Sequence, residues 1–235
     1  MKSLEPVSSV SLRSTEITMS ELASVPTATS GAYGIAYDFE TGGLSPEKNP
    51  PLQLAMVVVT AALDEIDALS VKIKPVPGLI IEPGAAAVNG YTEAGWANAM
   101  PLKEAEVFFA KYIRQWFPDQ KPVSIGHNIR RFDVTFLQKF FPMCAMMFSP
   151  DMVDTLVEFK EWRKKNNMLK VRDPATGALV NGKNNLGTLA KYAGYNIEKA
   201  HDAKYDCRAS IAGLKWMLSG EGMRAAPADD GADRE

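Results

Sequence analysis

The sequence predicts an α/β fold, and three observations carry that expectation. Ala32–Glu40 alternates apolar and polar residues with a period of two, as a half-buried strand does. Leu52–Thr60 and Ala68–Lys74 are two more strand-like runs. Only Ala61–Asp67 separates them, too short for a crossover helix, so they must pair antiparallel. Beyond residue 100, strand-like and helix-like segments take turns, the pattern of strand–helix units.

Composition fits a soluble globular chain. Of 235 residues, 46% are hydrophobic and 23% charged, enough for one domain with a sizeable core. No apolar run approaches the ~18 residues of a membrane span, and there is no secretory h-region. Cys144 and Cys207 are too few for a disulfide framework, so a reducing, cytoplasmic setting is expected, with Cys207 packed on the apolar side of the last helix. The net charge of −2 hides a split. Residues 1–110 carry −7, residues 111–220 carry +8 and the last fifteen carry −3. A basic half suits a polyanionic partner; a solvated helix surface explains it equally well.

In chain order, residues 1–31 are rich in Ser and Thr and predict a flexible arm; residues 221–235 predict a flexible polar tail. Pro75, Pro77 and Pro83 predict a loop after the third strand, with Thr92 capping a helical turn to Asn98. Leu102–Phe117 predicts an amphipathic helix with Ala105, Phe108, Phe109 and Tyr112 inward. Pro122–Ile125 is a short strand. The helix after it buries Phe132, Phe136, Leu137 and Phe140. Met152–Thr155 holds another short strand, followed by helix Leu156–Asn166. Residues 168–182 form an inserted hairpin around Asp173–Gly177. Asn185 caps a short helix that Gly194 ends. The last helix runs from Asp202 to about Ser219 on a stripe of Cys207, Ile211, Leu214 and Leu218. Ser210 and Gly213 beside it leave room for a strand to approach.

Three acidic stretches carry the chemistry. Period two puts Asp38 and Glu40 on one side of the first strand, at its end, before the sharp turn Thr41-Gly42-Gly43. Adjacent carboxylates repel each other and are stabilised by a divalent cation, although a strand end often carries solvated charge. Asp133 opens a helix after the turn His127-Asn128, where α/β sheets place sites. His201 precedes Asp206 by five residues, a rotation of ~140° on a helix, so His201 reaches Asp206 only from the loop ahead of it. Asp202 then caps the helix. Alone, the pair is an ordinary cap beside a surface histidine.

Together these stretches resemble the DEDDh 3′–5′ exonucleases of the DnaQ-like family. Asp38-Phe39-Glu40-Thr41-Gly42-Gly43-Leu44 is similar to the first family motif, His127–Asp133 to the second and His201–Asp206 to the third. Asp154-Thr155 and Asn185–Gly194 resemble the connecting elements. The likeness covers roughly residues 32–219. It departs from the family in one extra residue between His127 and Asp133, a form shared by exonuclease-I-like members, in Gly43, and in the 168–182 insertion.

The resemblance implies an RNase H-like mixed five-stranded sheet with helices on both faces. It implies a metal-dependent exonuclease that releases nucleoside 5′-monophosphates from nucleic-acid 3′ ends, single-stranded or frayed, DNA ahead of RNA. Two divalent ions, Mg²⁺ or Mn²⁺, are expected on Asp38, Glu40, Asp133 and Asp206, with His201 taking the proton of the attacking water. Phe39, Thr41, Leu44, His127 and Asn128 are the expected substrate contacts. Phe39 alternates with core residues, so only its backbone is expected near substrate, and Leu44 is the better wedge. A polymerase or repair partner in trans fits a chain with no fused polymerase; a membrane does not. A weakly active nucleic-acid-binding or polymerase-associated subunit is the alternative, and a metal-stabilised structural domain is a third reading.

Overall fold

The computed structural model describes residues 31–172, 176–196 and 202–220. Residues 1–30 of the expected arm, the whole of the expected tail and His201 lie outside the described residues. Five strands form one mixed sheet: β1 (Ala32–Thr41), β2 (Pro51–Thr60), β3 (Glu65–Lys72), β4 (Val123–Gly126) and β5 (Met152–Asp154), in the order β3-β2-β1-β4-β5. β1 and β2 pair antiparallel, as do β2 and β3; β4 and β5 join parallel to β1. This is the mixed five-stranded sheet expected.

Seven α-helices occur among the described residues: α1 (Pro83–Asn89), α2 (Leu102–Trp116), α3 (Asp133–Phe140), α4 (Pro142–Ala145), α5 (Thr155–Lys165), α6 (Leu186–Tyr192) and α7 (Ala203–Ser219). None is long and apolar enough to cross a membrane. Alternation along β1 divides the core. Ile35, Tyr37 and Phe39, with Leu54, Met56 and Val58, meet Phe109, Phe136 and Phe141 from α2, α3 and the turn into α4. Ala36, Ala55 and Val57 meet Phe159, Leu189, Cys207 and Leu214 from α5, α6 and α7. Helices therefore cover both faces.

Four local expectations are corrected. β3 starts three residues early, at Glu65, because a tight turn at Ala61–Asp64 with Leu63 at φ 63° closes the hairpin sooner. Pro83 does not extend a loop; it opens α1 from the first helical turn, and Gly90 closes that helix at φ 66°. Phe108 is 42% exposed, since α2 points Ala105, Phe109 and Tyr112 at the sheet and turns Phe108 outward. Leu218 is 37% exposed and Met217 takes its buried place.

The small residues that bring α7 to the sheet also differ from expectation. A Cβ on Gly213 would lie 2.4 Å from Leu189, so Gly213 serves the contact with α6. The close approach to the strands uses Ala36 and Ala55, with the Cys207 thiol 3.8 Å from the Ala55 carbonyl. Burial holds that thiol well above its ordinary pKa, so Cys207 is inert packing, as expected. Beyond the main sheet, β6 (Lys170–Arg172) and β7 (Leu179–Asn181) pair antiparallel as a separate ribbon between α5 and α6.

Candidate metal and catalytic site

Asp38 and Glu40 point from the end of β1 toward the side of the sheet that α7 covers. Asp202 caps α7 by accepting from the Lys204 amide at 3.1 Å. That places Asp206 in the first turn, where the helix dipole favours an anion. Oxygens of Asp38, Glu40 and Asp206 all lie within 4.8 Å of one another. Asp133 reaches the same strand end from α3. Its Oδ1 accepts from the Phe39 amide at 3.0 Å, between Asp38 and Glu40, and the residue is only 2% exposed. The four carboxylates thus converge from one strand and two helices.

Crowding shows in their protonation. Enclosure by the protein raises Asp38 well above the usual carboxylate range, and Asp133, then Asp206, Glu40 and Asp202, raise it further. Glu40 is pushed up to about 8 by burial first, then by Asp206, Asp202 and Asp133. Burial pushes Asp133 up to about 7, against the hydrogen bonds it accepts from the Phe39 amide and its own. Hard oxygen donors held this close are the donor set a divalent metal ion requires.

The second motif is organised by Asp154, which sequence reasoning placed but gave no task. Its carboxylate accepts from the amides of Asn128, Arg130 and Leu156, fixing the turn ahead of Asp133 and capping α5. The turn needs Asn128 at φ 62°, a left-handed conformation Asn tolerates. His127 sits under it. Its Nε2 lies 3.0 Å from the Asn184 carbonyl, which can only accept, so that nitrogen carries the proton. Nδ1 lies 3.0 Å from the Thr155 hydroxyl, which also donates to the Gly126 carbonyl at 3.2 Å. Burial lowers the His127 pKa to about 4, and the ring stays neutral. Both ring nitrogens are spent on the protein, which leaves none for a substrate atom.

Phe39, Thr41 and Leu44 meet in a cleft of about 370 Å³ beside Glu40, walled also by Phe132 and by α1 residues from Gly84 to Asn89. The Phe39 ring is core, tilted against Phe136 and Phe141, so its backbone is its contribution here. Leu44 is 83% exposed at the mouth. The α1 wall went unrecognised in the sequence; Pro83 followed by Gly90, seven residues on, was the signal of a short helix. Asn49 ties the two walls together. Its Nδ2 donates to the Ile80 carbonyl (2.9 Å) and to Glu82 Oε1 (3.1 Å), while its Oδ1 accepts from the Ser45 amide (2.9 Å). A Cβ on Gly43 would lie 2.5 Å from that side chain, which accounts for glycine there.

A family model described as RNase T-type exonuclease matches residues 35–214, more than half of the chain. The chain belongs to this exonuclease family. It is a DnaQ-like 3′–5′ exonuclease, a hydrolase of phosphodiester bonds. Among curated relatives, ribonuclease T of Blochmanniella pennsylvanica is 28% identical over 188 residues, covering 75% of this chain and 79% of that one. Among solved structures, E. coli exonuclease I with a dT13 oligonucleotide matches with a TM-score of 0.63 at 23% identity, over 80% of this chain and 41% of that one. The zinc-bound form of the E. coli exonuclease I–single-stranded DNA complex matches at TM-score 0.62 and 22% identity, over 79% and 40%. The likeness to exonuclease I is one of fold, and this chain spans about two fifths of its length.

Proposed function

We propose that this exonuclease degrades single-stranded nucleic acid, DNA in preference to RNA, from the 3′ end, using two divalent ions, Mg²⁺ or Mn²⁺. The convergence of Asp38, Glu40 and Asp206 within 4.8 Å, with Asp133 bonded to the strand between the first two, carries this reading. Asp38, Glu40 and Asp206 would hold one ion and Asp38 with Asp133 the other. Ions bound there supply positive charge to the phosphate and to the oxygens entering and leaving it.

The chain's own groups do the rest. The cleft beside Glu40 receives the terminal nucleoside, with Leu44 and Phe132 as apolar surfaces for base and sugar. That sets the last phosphodiester at the carboxylates. His201, five residues ahead of Asp206, takes a proton from the attacking water, as its ordinary pKa near ~6.5 allows. Water oxygen bonds to phosphorus and the bond to the 3′-oxygen of the preceding nucleotide breaks. A nucleoside 5′-monophosphate leaves, and the new 3′ end takes up a proton. His127 and Asn128 shape the turn before Asp133; their part in substrate binding is indirect.

The similarity to exonuclease I supports single-stranded DNA; the similarity to ribonuclease T favours RNA as the second reading. Oligonucleotides labelled at the 5′ or 3′ end, DNA beside RNA, distinguish them. With Mn²⁺ a 3′-labelled strand should lose its label at once and a 5′-labelled strand should shorten stepwise, DNA faster than RNA, with nothing cut in EDTA. Faster loss of RNA reverses the preference. No Mn²⁺-dependent cleavage of either leaves the binding-subunit reading.

A further inference from the structure

The ribbon β6–β7 stands apart from the carboxylates, yet one buried side chain ties both its ends to the body of the protein. Arg163 on α5 is fully buried, at 0% exposure, a position that is costly for a guanidinium to desolvate. Its Nε donates to the Met168 carbonyl at 2.8 Å and its Nη1 to the Lys183 carbonyl, so one side chain grips both feet of the ribbon. Phe159 and Tyr192 flank it at 5.5 and 5.8 Å. A Cβ on Gly182 would meet Arg163 Nη2 at 1.6 Å, so the chain closes directly on the guanidinium. The next residue but one, Asn184, accepts from His127 at the turn before Asp133. The ribbon is thereby joined to the site's own scaffold.

Its exposed surface is basic. The register Lys170↔Asn181, Val171↔Val180 and Arg172↔Leu179 puts Lys170, Arg172, Leu179 and Asn181 on one face, all exposed. Lys183 follows at the foot, and Lys160 lies close enough to act on His127. Three-residue strands with a mostly exposed surface bury little, so the ribbon is not there to build core. Its place relative to the cleft matters. The cleft opens on the Phe39–Phe132 side of the sheet, whereas the ribbon springs from the α5–α6 side, and the end of β1 with its carboxylates lies between them.

We propose that the Lys170–Arg172 face of this ribbon binds the phosphate backbone of the substrate strand upstream of the scissile bond. The assignment rests on the proposed exonuclease reading for the strand's direction. A strand whose 3′ nucleotide fills the cleft crosses the carboxylates at its last phosphate and continues toward the ribbon. Lys170 and Arg172 then meet phosphates, and Leu179 between them offers an apolar surface to a base.

The test compares the full-length protein with Lys170→Glu/Arg172→Glu. Because Arg172 also donates to the Gly177 carbonyl inside the ribbon, Lys170→Glu/Asn181→Glu is the second variant and leaves that bond intact. Binding of a fluorescent oligothymidylate of about twenty nucleotides and of a trinucleotide is followed by anisotropy in EDTA, where nothing is cut. Both variants should bind the long strand about tenfold more weakly and the trinucleotide as before. For the Lys170→Glu/Arg172→Glu variant the slope of log Kd against log salt should fall by ~1.4, the loss of two phosphate contacts on a single strand. Cleavage of the trinucleotide with Mn²⁺ should be unchanged, which probes the carboxylate site separately. Equal affinity of wild type and variants for the long strand, or equal loss on both lengths, overturns the assignment; the first outcome would hand the ribbon to a protein partner. Absence of cleavage with length-dependent binding retained would sink the catalytic reading and keep the ribbon.

Discussion

Two carboxylates reach this site from helix starts, and they are used differently. Asp206 lies in the first turn of α7, whose cap is Asp202, accepting from the Lys204 amide. Its oxygens lie close to those of Asp38 and Glu40. Asp133 opens α3, which has no side-chain cap, and accepts instead from the Phe39 amide. One carboxylate belongs to the cluster. The other is first a structural acceptor that locks α3 to β1, and it touches the cluster through its charge on Asp38. Proximity in an acidic site therefore does not assign equal roles.

The largest expected effect tests the cluster itself. Asp38→Asn should lower turnover by at least about 10³-fold, ~4 kcal/mol in barrier, and abolish the rise in Tm on adding Mn²⁺. Scanning fluorimetry beside a cleavage assay reads both; a retained Mn²⁺ response would place the ion elsewhere. His201→Ala should come next, losing roughly 10²–10⁴-fold with Mn²⁺ stabilisation and oligonucleotide binding kept. Near-native rates across pH 6–9 would remove the general base.

Asp133 sharpens the comparison through two substitutions. Asp133→Asn keeps an acceptor for the Phe39 amide, so the fold should hold while activity drops about 10²-fold. Asp133→Ala orphans that buried amide and should also cost about 1–3 kcal/mol in denaturant unfolding. Full activity in Asp133→Asn would make the residue purely structural. Protonation gives a further test. Glu40 near 8 and Asp133 near 7 hold protons that an unfolded chain releases around ~4. The folded state then binds more protons between those values, so stability falls as pH rises from about 4 to 8. In EDTA, Tm should drop by about 5 °C or more between pH 5 and 8, and Mn²⁺ should flatten the decline. A Tm rising with pH in EDTA would contradict the crowded-carboxylate picture. The smallest effect belongs to Leu44→Ala, which should leave stability within about 0.5 kcal/mol and raise KM about fivefold. Loss of the fold would make Leu44 a core residue.

Much of this was legible in the sequence because the patterns were local. Alternation in Ala32–Glu40 placed Asp38 and Glu40 on one side of β1, and Asp202 as a cap placed Asp206 in the first turn. What escaped depended on distant partners. Nothing near Asp133 announces that its acceptor role is owed to an amide 94 residues earlier. His127 looks like a substrate ligand until Thr155 and Asn184 arrive at its two nitrogens. Gly213 seemed to make room for a strand, but Leu189 fills that space. Pro83 was misjudged for another reason: proline both ends strands and begins helices, and only the following Gly90 separates the two.

The Asn49 amide has a kinetic consequence. By bonding Ser45 on one wall of the cleft and Ile80 and Glu82 on the other, it couples the walls into one body. Walls braced in this way would resist closing over a bound nucleotide as a lid does. On the proposed reading, the released monophosphate would depart through the same mouth by which the strand's end arrived, and each cleavage would wait for that vacancy. The rhythm of successive cuts would then be governed by how tightly Leu44 and its neighbours grip the departing nucleotide. Loosening that grip would quicken the steps taken by a strand still held upstream, even as it weakens the capture of a new one.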